Sequence, residues 1–283
     1  MFDMDSFEPH ALPPLYTGRS AFLHANRHMV QAMVQAAGRC RIQSSEDIFD
    51  AKGIKLWARD RPVEPALLAR LADRPLRKPI ELCVTALEPV TGLSMVDSLQ
   101  ALARQSPDFA RWVAPQRTAF CERLLALSWN PQELLLLSLL RFGPCDRLTH
   151  ALAVAALALD GGRSLGVPDG LLTGLLRAAL LHDVGLLYLP LAAVGVDAEA
   201  LHQRHPMLGS LAARELAACD AATTQLIATS HELLNGHGFP MGLSGARLSA
   251  PQRALSFAEA MIDHLCDPNR GALRVAVASR LLP

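Results

Sequence analysis

From Glu64 onward, apolar residues recur three and four positions apart, while Pro62, Pro65, Pro75, Pro79, Pro89, Pro107, Pro115, Pro131 and Pro144 cut that pattern into short lengths. Proline fixes φ and donates no backbone hydrogen bond, so it opens helices and ends whatever precedes it. A chain punctuated this way is confined to a series of short helices, and the expected fold class is mainly α. Two earlier segments read differently. Ser20 to Ala37 has helical spacing, with Ser20 as its N-cap and Gly38 as its stop. Glu46–Asp50 and Ile54–Trp57 flank Ala51-Lys52-Gly53, where glycine can take the positive φ of a tight turn, and this predicts a β-hairpin.

The chain has 283 residues, enough for one large domain or two modest ones. The change of character at Gly143-Pro144 suggests a tail and helix over 1–40, a small α+β module with the hairpin over 41–143, and an all-helical region over 144–283. The last region holds seven of the ten histidines. Lys plus Arg (27) balance Asp plus Glu (27), so no global field favours a polyanion and a nucleic-acid polymer is not expected as partner. With 51% hydrophobic and 19% charged residues, the chain lies far from the composition of disordered proteins. Apolar runs such as Ala151–Leu159 end short of the roughly 18 residues of a membrane span. The acidic start Met1-Phe2-Asp3-Met4-Asp5 does not read as a secretory signal, so the expected location is cytoplasmic. The six cysteines form no C-x-x-C pair and read as reduced thiols.

The chemistry-bearing residues lie in the last region. Asp146 and His150, four apart, share a helix face and can grip one cation. His182 and Asp183 sit side by side at the end of a strongly apolar helix that Gly185 would stop, where burying polar groups is costly unless a partner such as a metal satisfies them. His205 precedes Pro206 at a helix start. Ser230-His231-Glu232 leads into the glycine-punctuated loop Asn235-Gly236-His237-Gly238-Phe239-Pro240, and Glu259 falls on a later helix. Imidazole and carboxylate donors without thiolates suit iron, manganese, zinc or nickel, and Asp183 is the candidate bridge between two such ions. Paired ions of this kind serve phosphoester hydrolysis.

The order His150, His182-Asp183-x-Gly185, His205-Pro206-x-x-Gly209, then His231-Glu232-x-x-Asn235-Gly236-x-Gly238-Phe239-Pro240 and Glu259 resembles the HD-GYP domain, a bacterial branch of the HD metal-dependent phosphohydrolases. The likeness covers roughly residues 144 to 270. It implies an all-helical HD-GYP domain preceded by the small α+β module, holding two transition-metal ions and hydrolysing cyclic di-GMP or a related nucleotide through a metal-bound hydroxide. By the same resemblance, His150, His182, Asp183 and Glu259 would hold the first metal, and Asp183, His205 and His231 the second. Asp146 would stand where some members have a third-metal Glu. Asn235, Gly236, Gly238, Phe239, Pro240 and Arg270 would contact substrate.

Several positions depart from the family pattern. Ser230 replaces a histidine, Leu186 a lysine, Asn235 an aspartate, Phe239 a tyrosine and Glu259 an aspartate, and Pro283 comes earlier than the end of a complete domain of this kind. Two alternatives therefore stay open. One is a degenerate, non-catalytic HD-GYP protein acting as a binding or scaffold module with a signalling protein partner in cyclic di-GMP signalling. The other is a one-metal HD phosphohydrolase acting on a smaller phosphate ester.

Overall fold

The structure, a computed structural model, describes residues 18–71, 74–144, 146–190 and 198–266. Asn26, rather than Ser20, opens the first helix. Its side-chain oxygen accepts from the backbone N–H groups of His28 and Met29 (2.9 and 3.2 Å), and α1 spans Arg27–Cys40. Ser20 lies instead in a 3-10 turn, Gly18–Phe22. The helix runs through Gly38 and ends at Arg41, whose φ is 47°. Burial of Met29, Val30, Met33 and Ala36 holds α1 together past the weak helix former, because packing outweighs intrinsic propensity.

The hairpin forms where expected. β2 (Ile48–Phe49) pairs antiparallel with β3 (Lys55–Trp57), Gly53 takes φ 88°, and Asp50 Oδ1 accepts from the N–H groups of Lys52 and Ile54 (3.0 and 2.8 Å). A second antiparallel pair joins β1 (Ile42–Ser44) to β4 (Val84–Ala86), with Ile42 opposite Ala86. Such distant partners leave no local turn signal, so this pairing is not readable from the sequence.

The remaining described elements are helical: α2 (Pro65–Leu71), α3 (Gly92–Gln105), α4 (Pro107–Val113), α5 (Arg117–Ala126), α6 (Pro131–Phe142), α7 (Leu148–Ser164), α8 (Asp169–Leu181), α9 (Ala198–His202), α10 (His205–Glu215), α11 (Ala221–Ala228) and α12 (Ala250–Cys266). The fold is mainly α. Pro65, Pro107 and Pro131 each stand at the first position of a helix, where a missing N–H costs nothing. Capping boxes at Thr91/Ser94 and Asn130/Glu133 start α3 and α6. α7 packs against α8 and α12, while α10 packs against the 3-10 segment His182–Tyr188 that continues α8. α1 and α6 touch that segment too, and one buried core runs from Phe22 to Ile262.

Asp169–Tyr188, although its apolar runs are interrupted, is by length and composition apolar enough to cross a membrane, with a mean hydropathy of 1.4. Here it is a core element, 67% buried inside the protein.

At its end, Tyr188 donates its hydroxyl to Glu81 Oε1 (3.0 Å), and Asn26 Nδ2 donates to the Tyr188 carbonyl (3.0 Å). Burial pushes the Glu81 carboxyl from 4.5 up to about 7. Between those values the folded chain keeps a proton that the unfolded chain has released. Stability from this group is therefore complete below pH 4.5 and is lost as pH rises to about 7. The linkage amounts to about 3 kcal/mol. Glu81→Gln, permanently neutral, is expected to lose much less stability than the parent between pH 5 and pH 8 in urea titrations. Equal losses in the two proteins would rule out a proton held on Glu81.

Candidate metal centre

Five separate stretches of chain deliver the polar groups of the centre. His150 projects from the first turn of α7. After Leu181 the α-helix tightens into the 3-10 segment, which turns both His182 and Asp183 inward. Gly185 does not stop the helical path, as its position suggested, since the 3-10 segment continues to Tyr188. It allows close approach instead. A Cβ there would lie 1.9 Å from the His205 carbonyl oxygen and 2.7 Å from the Gly209 nitrogen. The 3-10 segment thus rests backbone to backbone on α10, which sets His205 beside His182 and Asp183. His231 follows the end of α11, and Glu259 comes from the middle of α12.

These side chains converge. Glu259 Oε2 stands 3.1 Å from both His150 Nε2 and His182 Nε2. Asp183 Oδ1 is 3.4 Å from His182 Nε2 and 3.5 Å from His205 Nε2, and the Nε2 atoms of His205 and His231 are 2.9 Å apart. His182 and His205 are wholly buried, and Asp183, Glu259 and His231 are nearly so. The potential donor atoms of His150, His182 and Asp183 lie within 4.8 Å of one another, as do those of Asp183, His205 and His231, so Asp183 is common to both groups. Asp263 joins His150 and Glu259 in a further such group. The sequence reading missed Asp263, although its spacing of four from Glu259 on one helix was a usable signal.

Asp146 is not brought in. Its carboxylate pairs with Arg141, accepts from the Thr149 hydroxyl (2.9 Å) and caps α7 at the Thr149 N–H (3.2 Å). At a helix start, this capping geometry faces the carboxylate along the chain and away from the cluster.

The electrostatics follow from burial. It pushes the Asp183 carboxyl up, but His182, His150 and His205 outweigh it and bring the group to about 2. Burial works against charge on His182 as well, yet Asp183 and Glu259 raise it to about 9. His205 is lowered to about 4, chiefly by burial, and His231 falls well below its ordinary value through burial and the neighbouring His205. Burial also opposes ionisation of Glu259, but His150 and His182 keep it well below the usual carboxylate range.

The donor set suits a divalent cation. The Nδ1 atoms of His182 and His205 lie 2.8 and 2.7 Å from the carbonyls of Ala179 and His202. When Nδ1 donates there, the Nε2 lone pair of the neutral ring is aimed into the cluster, as in metal-binding histidines. His182 Nε2 and Asp183 Oδ2 are buried with no hydrogen-bond partner among the described residues. Lone pairs this close repel unless a proton or a cation lies among them.

The neighbouring loop is tightly built. Glu232 is buried and accepts from the N–H groups of Met241 and Leu243 (2.6 and 2.7 Å). Gly238 folds so closely on the preceding turn that a Cβ would lie 2.3 Å from the Leu233 nitrogen. The Phe239 ring stacks on His231 with centroids 4.7 Å apart and planes 12° from parallel. Ser230 Oγ donates to the Ile227 carbonyl (3.0 Å) and so is turned back on its own turn. A cavity of about 550 Å³ lies beside the cluster, with Arg147, Leu186 and His202 in its wall. Asn235, Gly236, Gly238, Phe239 and Pro240, expected to contact substrate, are not among its lining residues, because the loop packs on His231 and Ser244 instead. Arg270 lies outside the described residues. His202 is half-buried with its ring centroid 4.7 Å from that of His205.

No family model matches the chain. Among solved structures it is similar to Bd1817, a HDG"Y"P protein from Bdellovibrio bacteriovorus, at 22% identity over 62% of this chain and 58% of that one, with a TM-score of 0.41. Among curated proteins it is 33% identical over 122 residues to cyclic di-GMP phosphodiesterase PA4108 of Pseudomonas aeruginosa, a match covering 40% of this chain and 30% of that protein. The chain thus spans under a third of that relative's length. The histidines and carboxylates that carry the sequence likeness are those the fold draws into one buried cluster. The comparisons support the resemblance to HD-GYP proteins. Within that resemblance, Ser230, Leu186 and Phe239 stand where the HD-GYP pattern has other residues. The buried His, Asp and Glu groups of this chain could hold metal ions.

Proposed function

We propose that this chain is a metal-dependent phosphodiesterase acting on cyclic di-GMP or a related nucleotide. The observation that carries the reading is the convergence of His150, His182, Asp183, His205 and His231 from separate elements into two donor groups that share Asp183, with Glu259 3.1 Å from His150 and His182. On this reading His150, His182, Asp183 and Glu259 hold one cation, and Asp183, His205 and His231 hold a second. Metals held there would supply a water nucleophile at neutral pH and would offset charge building on the phosphoryl group. The chain's own part is to fix the donors and exclude water. Ala179 and His202 set the two imidazole tautomers through their carbonyls, and Phe239 holds the His231 ring by stacking on it. Glu232 anchors the loop that carries Phe239.

One observation favours a second reading, a binding module without turnover. The bond from Ser230 to Ile227 leaves the group around His205 and His231 without the additional imidazole of the family pattern. Element analysis of the purified chain, followed by assay with cyclic di-GMP, separates the two. More than one transition metal per chain together with a linear dinucleotide product supports the phosphodiesterase. A metal-replete protein that binds cyclic di-GMP but never cleaves it supports the binding module.

A further inference from the structure

We propose that Arg147 is the phosphate-contacting cation of the substrate site, and that α1, from the N-terminal part of the chain, supplies one wall of that site. The inference rests on the phosphodiesterase reading and adds to it the groups that take hold of the substrate. Arg147 stands at the entrance to α7. Its Nη1 lies 3.9 Å from Asp183 Oδ2, the carboxylate common to both donor groups, and its half-exposed side chain also lines the cavity of about 550 Å³. One guanidinium therefore spans the boundary between cluster and cavity.

Among the described lining residues, Arg147 is the one arginine or lysine. The carboxylate in the same wall, Glu199, accepts from Gln203 Nε2 (3.2 Å). A guanidinium presents planar paired donors that match two phosphate oxygens. The rest of the wall suits the organic part of a nucleotide. Leu140, Leu186 and Leu187 form apolar surface for a base, and His28 and Gln31 of α1 offer directional hydrogen bonds to its edge. The volume lies within the usual range for small-molecule sites, roughly 300 to 1,000 Å³. The ligand class that fits is a nucleotide phosphodiester, with its anionic group at Arg147 and its base toward α1.

The test uses the full chain loaded with metal. Arg147→Ala is expected to raise the KM for cyclic di-GMP roughly ten- to a hundredfold, the worth of a hydrogen-bonded charge. Metal content by element analysis should not change. Leu186 lines the same cavity, so Leu186→Lys introduced into the Arg147→Ala protein is expected to recover part of the lost affinity, which a merely structural role for Arg147 would not allow. Gln31→Trp, filling the cavity from α1, should raise the KM for cyclic di-GMP far more than that for bis(p-nitrophenyl) phosphate. If the parent binds without turnover, Kd is read in place of KM. A parent that works while Arg147→Ala keeps its KM within about twofold overturns this inference and leaves the phosphodiesterase reading standing. Loss of metal in step with affinity also overturns it, because Arg147 would then be holding Asp183. A metal-loaded parent that neither binds nor cleaves cyclic di-GMP overturns both.

Discussion

Asp183→Asn is expected to empty the centre of most of its metal and to lower phosphodiester turnover by roughly a thousandfold. Asp183 is the residue common to the group with His150 and His182 and the group with His205 and His231. The substitution keeps the side chain's shape and removes the charge that two cations would share. Metal assistance is worth several kcal/mol of transition-state stabilisation, and about 4 kcal/mol corresponds to that loss of rate. The control is Asp146→Asn. Asp146 caps α7 outside the cluster, and asparagine caps helices as well as aspartate does, so metal content and rate should stay near those of the parent. Element analysis and product assay on the two variants check both statements. An Asp183→Asn protein that retains its metal and rate would remove the basis for the centre.

Gly185→Ala should have the largest effect on stability. The added Cβ would sit 1.9 Å from the carbonyl oxygen of His205, and because the obstacle is backbone, no rotamer change relieves the contact. Overpacking of a tight core costs about 1 to 3 kcal/mol, and a backbone obstacle puts this case at the upper end. The same displacement would move His205 away from Asp183 and weaken metal retention. Gly170→Ala provides the comparison. Its Cβ would meet nothing within 4 Å, and alanine is the better helix former in the first turn of α8, so stability is expected to hold or rise slightly. Urea titrations of the two variants should differ clearly. Similar midpoints would mean that the 3-10 segment does not rest on α10 as described.

Much of this architecture is legible in the chain. Proline spacing announces short helices, and Pro65, Pro107 and Pro131 do open them. The turn at Gly53 marks the hairpin because its chemistry is local. The pairing of β1 with β4 is invisible for the opposite reason, since nothing near Ile42 points to Ala86. The start of α1 went to Asn26 over Ser20 because either side chain can cap, and packing decides which one the helix meets.

The candidate centre divides along the same line. Residue type and order alone single out His150, His182, Asp183, His205, His231 and Glu259, because histidines and carboxylates set in apolar helices need partners that apolar neighbours cannot supply. Helical spacing then says which residues share a face, but not where that face points. Asp146 and Asp263 each lie four positions from a cluster residue, yet Asp146 turns to Arg141 and Thr149 while Asp263 joins His150 and Glu259. That choice depends on how α7 and α12 are rotated against each other in the core. Such rotation is set by contacts between residues far apart in the chain, which no local pattern encodes.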